Sequence, residues 1–286
     1  MSILVTGATG KTGRHIVRDL LAAKKKVRIL TRCPENVRSQ PGLTVAKGDL
    51  TVPETFSEAL DEVDTAFLFP VLPAIGPFAE AAREAGVRRV VLFTGAWAAG
   101  HTERDLGSWV LPRYRAAEDA LAGSGLAEWT VLRPAPFATN ALWWAASVRD
   151  EGVVGLPYPN AVCPVIHEAD IAASVVAALL GDGHHGARLT LTGPALVSQA
   201  EQVAAIGEAI GRPLRVEEIP AERWRADAER FLRPGIAADL LREWAETAKD
   251  PSTALPVLPT VTELTGRPAR TFTRWAMDHV AHFTAA

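Results

Sequence analysis

Val5-Thr6-Gly7-Ala8-Thr9-Gly10-Lys11-Thr12-Gly13 follows the apolar run Ser2-Ile3-Leu4 and leads into Arg14-His15-Ile16-Val17. A β-branched run, three glycines at intervals of three, and an amphipathic stretch describe a strand turning into a helix. Each glycine has its own task in such a turn. Gly7 permits the tight turn off the strand, Gly10 lets the backbone approach a pyrophosphate, and Gly13 lets the helix pack close to the sheet. The helix N-terminus then offers free N–H groups and a positive dipole end to phosphate. The bland alternative is a glycine-rich turn with no ligand. A lone triplet would not decide between them. Its position between a strand and a helix favours the phosphate reading, with Gly7, Thr9, Gly10, Lys11, Thr12 and Gly13 as contacts.

Moving outward, the same strand–helix alternation continues. Strands are expected at Ile3–Thr6, Val27–Thr31, Leu43–Ala46, Thr65–Phe69, Arg89–Thr94 and Trp129–Leu132. A helix over Thr12–Ala23 carries Ile16, Val17, Leu20 and Leu21 on one face. Gly86 is placed to end a helix over Phe78–Ala85. Strands without polar alternation, separated by amphipathic helices, imply an α/β fold with a doubly wound, Rossmann-type parallel sheet covered on both faces. After Pro134 the pattern changes. A helix is expected over Asn140–Arg149, then a loop-rich stretch with Gly152, Gly155, Pro157 and Pro159. A strand at Val162–Ile166, a helix at Ala169–Leu180 and a strand at Arg188–Leu191 rejoin the sheet. Helices then dominate, at Gln199–Ile210, Ala221–Leu232, Ile236–Lys249 and Thr271–Phe283. The expected division is a nucleotide-binding domain of residues 1–135 plus 160–192, and a smaller, mostly helical substrate lobe of 136–159 plus 193–286.

The 286 residues suffice for a nucleotide-binding core and a second lobe. Apolar residues at 48% and charged residues at 22% place the chain among soluble globular proteins. The net charge of −3 gives no general attraction to nucleic acid or to an anionic membrane. Cys33 and Cys163, far apart, form no disulfide framework, and a reducing cytoplasm fits them. No basic stretch, apolar run and small-residue cleavage site precede the first strand, and no apolar segment is long enough to span a bilayer. The expected partner is a small-molecule substrate. The chain is read as a monomer or a homodimer, with nothing in the sequence to choose between them.

The residues after strand two select the dinucleotide. An acid there would bind the ribose hydroxyls of NAD. Thr31-Arg32 stands there instead. An arginine pairs bidentately with a 2′-phosphate, and Lys11 adds a second cation, so NADPH is expected in preference to NADH. Against this, Arg32 can be a solvated surface charge. Gly48-Asp49-Leu50 follows strand three, where an adenine would rest. Asp49 either accepts from the adenine amine or serves as a turn or helix-cap aspartate. Phe69-Pro70, Thr94-Gly95 and Pro134, at the ends of strands four to six, complete the expected cofactor-binding set.

The chain resembles the NmrA-like group of atypical short-chain dehydrogenases/reductases. The residues that carry the likeness are Val5–Gly13, Thr31-Arg32, Gly48-Asp49-Leu50, Trp129-Thr130-Val131-Leu132-Arg133-Pro134 and His167-Glu168-Ala169-Asp170-Ile171-Ala172. It spans most of the chain and thins after Gly193. It implies NADPH-dependent reduction of quinones, imines or enones, or a redox-sensing regulator that binds the dinucleotide without turnover. Typical short-chain dehydrogenases carry a serine after strand five and a Tyr-x-x-x-Lys pair on the next helix. Here Thr94 stands at the serine position and Tyr114 at the tyrosine, but Glu118 occupies the lysine position. A carboxylate four residues from a phenol would raise its pKa. Tyr114, Thr94 and Glu118 are therefore the catalytic candidates. Packing is the alternative for Tyr114, and a structural salt bridge is favoured for Glu118.

Aromatic residues gather near the expected strand ends. Trp97, Tyr114, Phe137 and Trp143 are candidates for a flat, apolar substrate pocket, with core packing as the alternative. Trp109 and Trp144 are weaker candidates. His184-His185 in a glycine-rich turn reads as a solvated loop, and His167 with Asp170 as a helix cap. The leading expectation is an NADPH-dependent oxidoreductase that transfers hydride to a small aromatic or conjugated electrophile. The alternatives are a non-catalytic NADP(H)-sensing regulatory protein and an isomerase or cyclase with a retained dinucleotide site.

Overall fold

The computed structural model describes residues 2–100 and 107–284. Its strands are β1 (Ser2–Thr6), β2 (Lys26–Thr31), β3 (Leu43–Lys47), β4 (Thr65–Leu68), β5 (Arg89–Phe93), β6 (Glu128–Pro134), β7 (Val153–Leu156), β8 (Val162–Cys163), β9 (Arg188–Leu191), β10 (Val197–Ser198) and β11 (Arg215–Glu218). Seven of them form one parallel sheet in the order β3-β2-β1-β4-β5-β6-β9. The order reverses at β1, beside β4, and this switch point opens a crevice at the carboxyl ends of the strands.

Alternate residues of each strand feed two cores, because side chains on a strand point to opposite faces. Ile3, Val5, Phe67, Val91 and Leu132 pack against Ile16 and Leu20 of the helix Gly13–Ala22, and against Ile171 and Val175 of the helix Glu168–Leu180. Leu4, Ala66, Leu68, Val90 and Leu92 pack against Phe56, Phe78 and Leu121 from the helices Phe56–Leu60, Ile75–Glu84 and Leu111–Ala122. Both faces are therefore apolar, and the strands read as unbroken apolar runs.

Beyond β6 the structure departs from the expectations in four places. The stretch read as loop around Gly155 contains β7, paired in parallel with β11. The helix expected over Asn140–Arg149 is a 3₁₀ segment, Ala138–Trp144, followed by an α-helix, Ala145–Asp150. Its Trp143 packs with Phe231, whereas Trp144 joins the cluster around Val148. Only Val162 and Cys163 of the strand expected to reach Ile166 pair in a ladder, since Pro164 has no N–H to donate. The last helix is interrupted at His279. There Nδ1 of the ring bonds the Trp275 carbonyl at 2.8 Å, while the backbone N–H turns to Ala276. No helix among the described residues is long and apolar enough to cross a membrane.

Candidate dinucleotide and substrate site

The turn after β1 is shaped by close approaches. Gly7 has φ +62°, which disfavours any side chain, and a Cβ there would lie 2.9 Å from the Phe69 ring. Gly13 is buried, and a Cβ on it would run into the Gly7 carbonyl oxygen. The first turn of the helix thus sits directly against the strand end, with Gly10 N–H closing the turn onto the Gly7 carbonyl at 3.1 Å. Thr6, not singled out from the sequence, fixes the neighbouring strand. Its hydroxyl donates to the Phe67 carbonyl at 3.0 Å and accepts from Phe69 N–H at 2.7 Å. The exposed Gly10 and Lys11 and the N–H groups of the helix start make a cradle that fits a diphosphate.

Arg32 follows β2 with 79% of its side chain exposed, and Nη1 lies 3.9 Å from Asp49 Oδ2. Asp49 Oδ1 accepts from the Thr51 amide at 2.8 Å and the Thr51 hydroxyl at 2.9 Å. These bonds, with a smaller contribution from Arg32, hold the Asp49 carboxyl below its ordinary range. Oδ1 of Asp49 thus makes the turn that one of its two sequence readings gave it, and Oδ2 faces Arg32. Leu50 is buried beneath it.

The carboxyl ends of β4, β5 and β6 line a cavity of about 300 Å³. Phe69, Pro70, Thr94, Gly95 and Pro134 form its sheet side, and Trp97, Tyr114, Phe137 and Trp143 meet there. The Phe69 and Phe93 rings stack at 6.4 Å, and Phe93 lies 5.7 Å from Phe137. Trp97 is held in place by its indole N–H, which donates to Glu243 at 2.8 Å. Gly95 leaves room for the phenol, since a Cβ there would stand 2.9 Å from Tyr114 Cε2. The opposite wall, Leu232, Ile236 and Leu240, escaped the sequence reading. The i, i+4 spacing of Ile236 and Leu240 on the helix Pro234–Lys249 was its available signal. Trp109 and Trp144 lie outside this cavity. Trp109 carries the Arg113 guanidinium over its ring at 3.9 Å and packs on Gly235. Residues 101–106, upstream of Trp109, lie outside the described residues. A depression of about 510 Å³ around Ser2, Lys26 and Thr44 opens at the amino ends of the strands, away from this crevice.

Glu118 requires a correction. It is 1% exposed and does not line the cavity. Arg133 grips both of its oxygens, with Nε 2.9 Å from Oε1 and Nη2 on Oε2. Arg188 Nε donates to Oε2 at 3.2 Å, and the Thr94 hydroxyl donates to Oε1 at 2.8 Å. These groups occupy both oxygens, so the side chain is built into the framework and not turned toward the cavity. Tyr114 does have a raised pKa, but burial is the cause, not Glu118. The Tyr114 helix is fixed at its start by Asp239, whose carboxylate accepts from Ser108 Oγ at 2.8 Å, Trp109 N–H at 3.1 Å and Val110 N–H at 3.2 Å. His167 caps its helix as expected, with Nδ1 accepting from Ala169 N–H at 3.0 Å.

Residues 7–182 match the model of a family described as NAD(P)H-binding. A (4-alkanoyl-5-oxo-2,5-dihydrofuran-3-yl)methyl phosphate reductase from Streptomyces griseus is 38% identical over 98% of this chain and 99% of its own. An NAD(P)H azoreductase from Xenophilus azovorans is 35% identical over 99% of this chain and 100% of its own. Among solved structures, an NADPH-dependent quinone oxidoreductase from Escherichia coli, complexed with NADPH, superposes with a TM-score of 0.80 at 21% identity, over 96% of this chain and 99% of that one. The chain belongs to the NAD(P)H-binding family, as its resemblance to the NmrA-like reductases implies, and is an NAD(P)H-dependent reductase.

Proposed function

We propose that the chain uses NADPH to reduce a neutral, flat, conjugated electrophile: a quinone, an imine or an enone. The observation that carries this reading is the lining of the 300 Å³ cavity, in which the described residues include no Lys, Arg, Asp or Glu. A charged substrate group would be desolvated there without a partner. The Phe69–Phe93 stack and Trp97 offer flat apolar faces. The relative from Streptomyces griseus has in its name an unsaturated 5-oxo-2,5-dihydrofuran that also bears a methyl phosphate, and that from Xenophilus azovorans acts, by its name, on azo compounds. Both names fit a conjugated acceptor; a phosphate like that of the first would have to lie outside the apolar lining.

Bound dihydronicotinamide supplies the hydride. The protein's part is binding and orientation. Gly7, Thr9, Gly10, Lys11, Thr12 and Gly13 would hold the diphosphate, and Arg32 with Lys11 the 2′-phosphate. Phe69, Pro70, Thr94, Gly95 and Pro134 would seat the nicotinamide end, and residues 136–159 and 193–286 would form the substrate lobe. The Tyr114 phenol, kept protonated by burial, is the hydrogen-bond donor toward the developing negative oxygen or nitrogen. An electrophile that is already activated needs orientation more than a strong acid. Thr94 and Glu118 act by fixing the ends of β5 and β6.

The test is NADPH consumption by purified protein with naphthoquinone, an N-aryl imine, a cyclic enone and a carboxylated quinone. Turnover with the neutral acceptors, and much less with the carboxylated one, is expected. Tight NADPH binding with no consumption of any acceptor would overturn the reading in favour of a sensor.

A further inference from the structure

Behind Phe137 and Trp143 lies a second, smaller cavity of about 40 Å³. It shares Pro136, Phe137, Asn140, Trp143 and Leu240 with the larger one, so the two meet at a common wall. Its far side is formed by Gln199, Gln202 and Cys163. Gln199 is 4% exposed, and neither its Oε1 nor its Nε2 has a hydrogen-bond partner among the described residues. Its backbone is committed, with the N–H bonded to the Ala161 carbonyl at 3.1 Å as the helix Gln199–Ala209 begins. The carboxamide is thus a buried group with one acceptor and two donor hydrogens unused, an arrangement that proteins rarely leave unmatched.

We infer that this cavity is an inner subsite of the substrate pocket, where Gln199 hydrogen-bonds a neutral polar terminus, a hydroxyl, carbonyl or amide, on a flat aromatic ligand. The inference rests on the substrate reading above. Three observations shape it. The space holds one or two small groups and not a ring. Phe137 and Trp143, which also wall the larger cavity, suit the ring that carries such a group. Among the described residues the lining has no cation, and Glu243 bears on Cys163 from beside it, adding to the burial that raises the thiol pKa. A carboxylate terminus would meet that negative field with nothing to neutralise it.

A binding measurement separates this inference from the question of turnover. Calorimetry on the full chain with saturating NADP⁺ would compare naphthamide, naphthoate and ethylnaphthalene, each substituted at the same ring position. Naphthamide should bind about tenfold or more tightly than the other two, since one matched hydrogen bond in a dry site is worth that much. In Gln199→Leu the advantage of naphthamide over ethylnaphthalene should disappear, with ethylnaphthalene binding at least as well as before and naphthoate remaining the weakest. Equal affinities in the parent protein overturn the subsite, whether or not the variant folds. An amide preference that survives Gln199→Leu, or a preference for naphthoate, overturns it as well. If NADPH consumption fails with every acceptor while the amide preference holds, the reductase substrate reading falls and the subsite stands.

Discussion

The Thr94 hydroxyl donates a 2.8 Å hydrogen bond to Glu118 Oε1, which ties the end of β5 to a carboxylate that two arginines already hold. The hydroxyl that a typical short-chain dehydrogenase aims at its substrate is here turned into the framework. Glu118 collects strands β5, β6 and β9 around one buried charge. Glu118→Ala should therefore cost about 3–5 kcal/mol of stability, the usual penalty for stranding buried partners of an ion pair. Urea denaturation followed by tryptophan fluorescence measures it. A loss below about 1 kcal/mol would show that the two arginines find water or other partners easily.

Tyr114→Phe should lower turnover of a quinone by less than about tenfold, short of the hundredfold or more typical of an essential general acid. The pH dependence has a definite sign. Burial raises the phenol pKa above its ordinary value near 10, so the donor form persists below that pH and is lost only above it. Parent turnover should show no alkaline fall through the neutral and mildly alkaline range that Tyr114→Phe abolishes. Such a fall would mean that the phenol ionises earlier than its surroundings allow.

Arg32→Ala should weaken NADPH by roughly tenfold and leave NADH nearly unchanged, because only the former carries the phosphate that a guanidinium pairs. The exposure of Arg32 keeps the effect moderate and sensitive to salt. Fluorescence titration with both coenzymes at low and high salt provides the comparison. Equal weakening of the two would remove the 2′-phosphate from Arg32.

A third buried cluster sets the pH dependence of folding. Glu168 lies 2.9 Å from His279 Nε2, 3.3 Å from His167 Nδ1 and 3.0 Å from the Trp275 indole nitrogen. Burial alone would raise the Glu168 pKa, but the hydrogen bond from His279 and the neighbouring histidines outweigh it and hold the carboxyl well below its ordinary range. Burial likewise would lower His279, and the Glu168 carboxylate outweighs it, so the imidazole pKa is raised. The histidine contribution is complete below the unfolded value near 6.5 and is lost as pH rises through the folded one. The glutamate contribution is present above the unfolded value near 4.5 and is lost as pH falls. Stability should peak between these limits, and urea midpoints across pH should show it. His279→Gln should flatten the alkaline side. An unchanged slope would remove His279 as its source.

The parallel sheet was legible because strands buried on both faces cannot hide their apolar runs; Ile3–Thr6 and Val27–Thr31 needed no context. The glycine turn was legible for a related reason, since the positive φ of Gly7 is a local limit and a Cβ on Gly13 would strike Gly7 itself; only the contact of Gly7 with Phe69 is distant in sequence. What escaped depends on distant chain segments. β7 takes its partner from β11, whose Arg215, Glu217 and Glu218 face solvent and read as surface. The partners of Glu118 come from β6 and β9, so the four-residue spacing to Tyr114 suggested an electrostatic link that Arg133 and Arg188 cancel. The unpartnered state of Gln199 is a matter of three-dimensional surroundings, and no local pattern could announce it.

Asp239 belongs to the same helix as Ile236 and Leu240, yet it anchors the start of the helix that carries Tyr114. Under the proposed roles, specificity and hydrogen-bond donation share one mechanical joint. A change in the helix Pro234–Lys249 that reshapes the pocket for a new molecule would also tug on the phenol. Evolution of this scaffold toward other acceptors must retune both at once, and laboratory libraries confined to one side of the pocket should stall early.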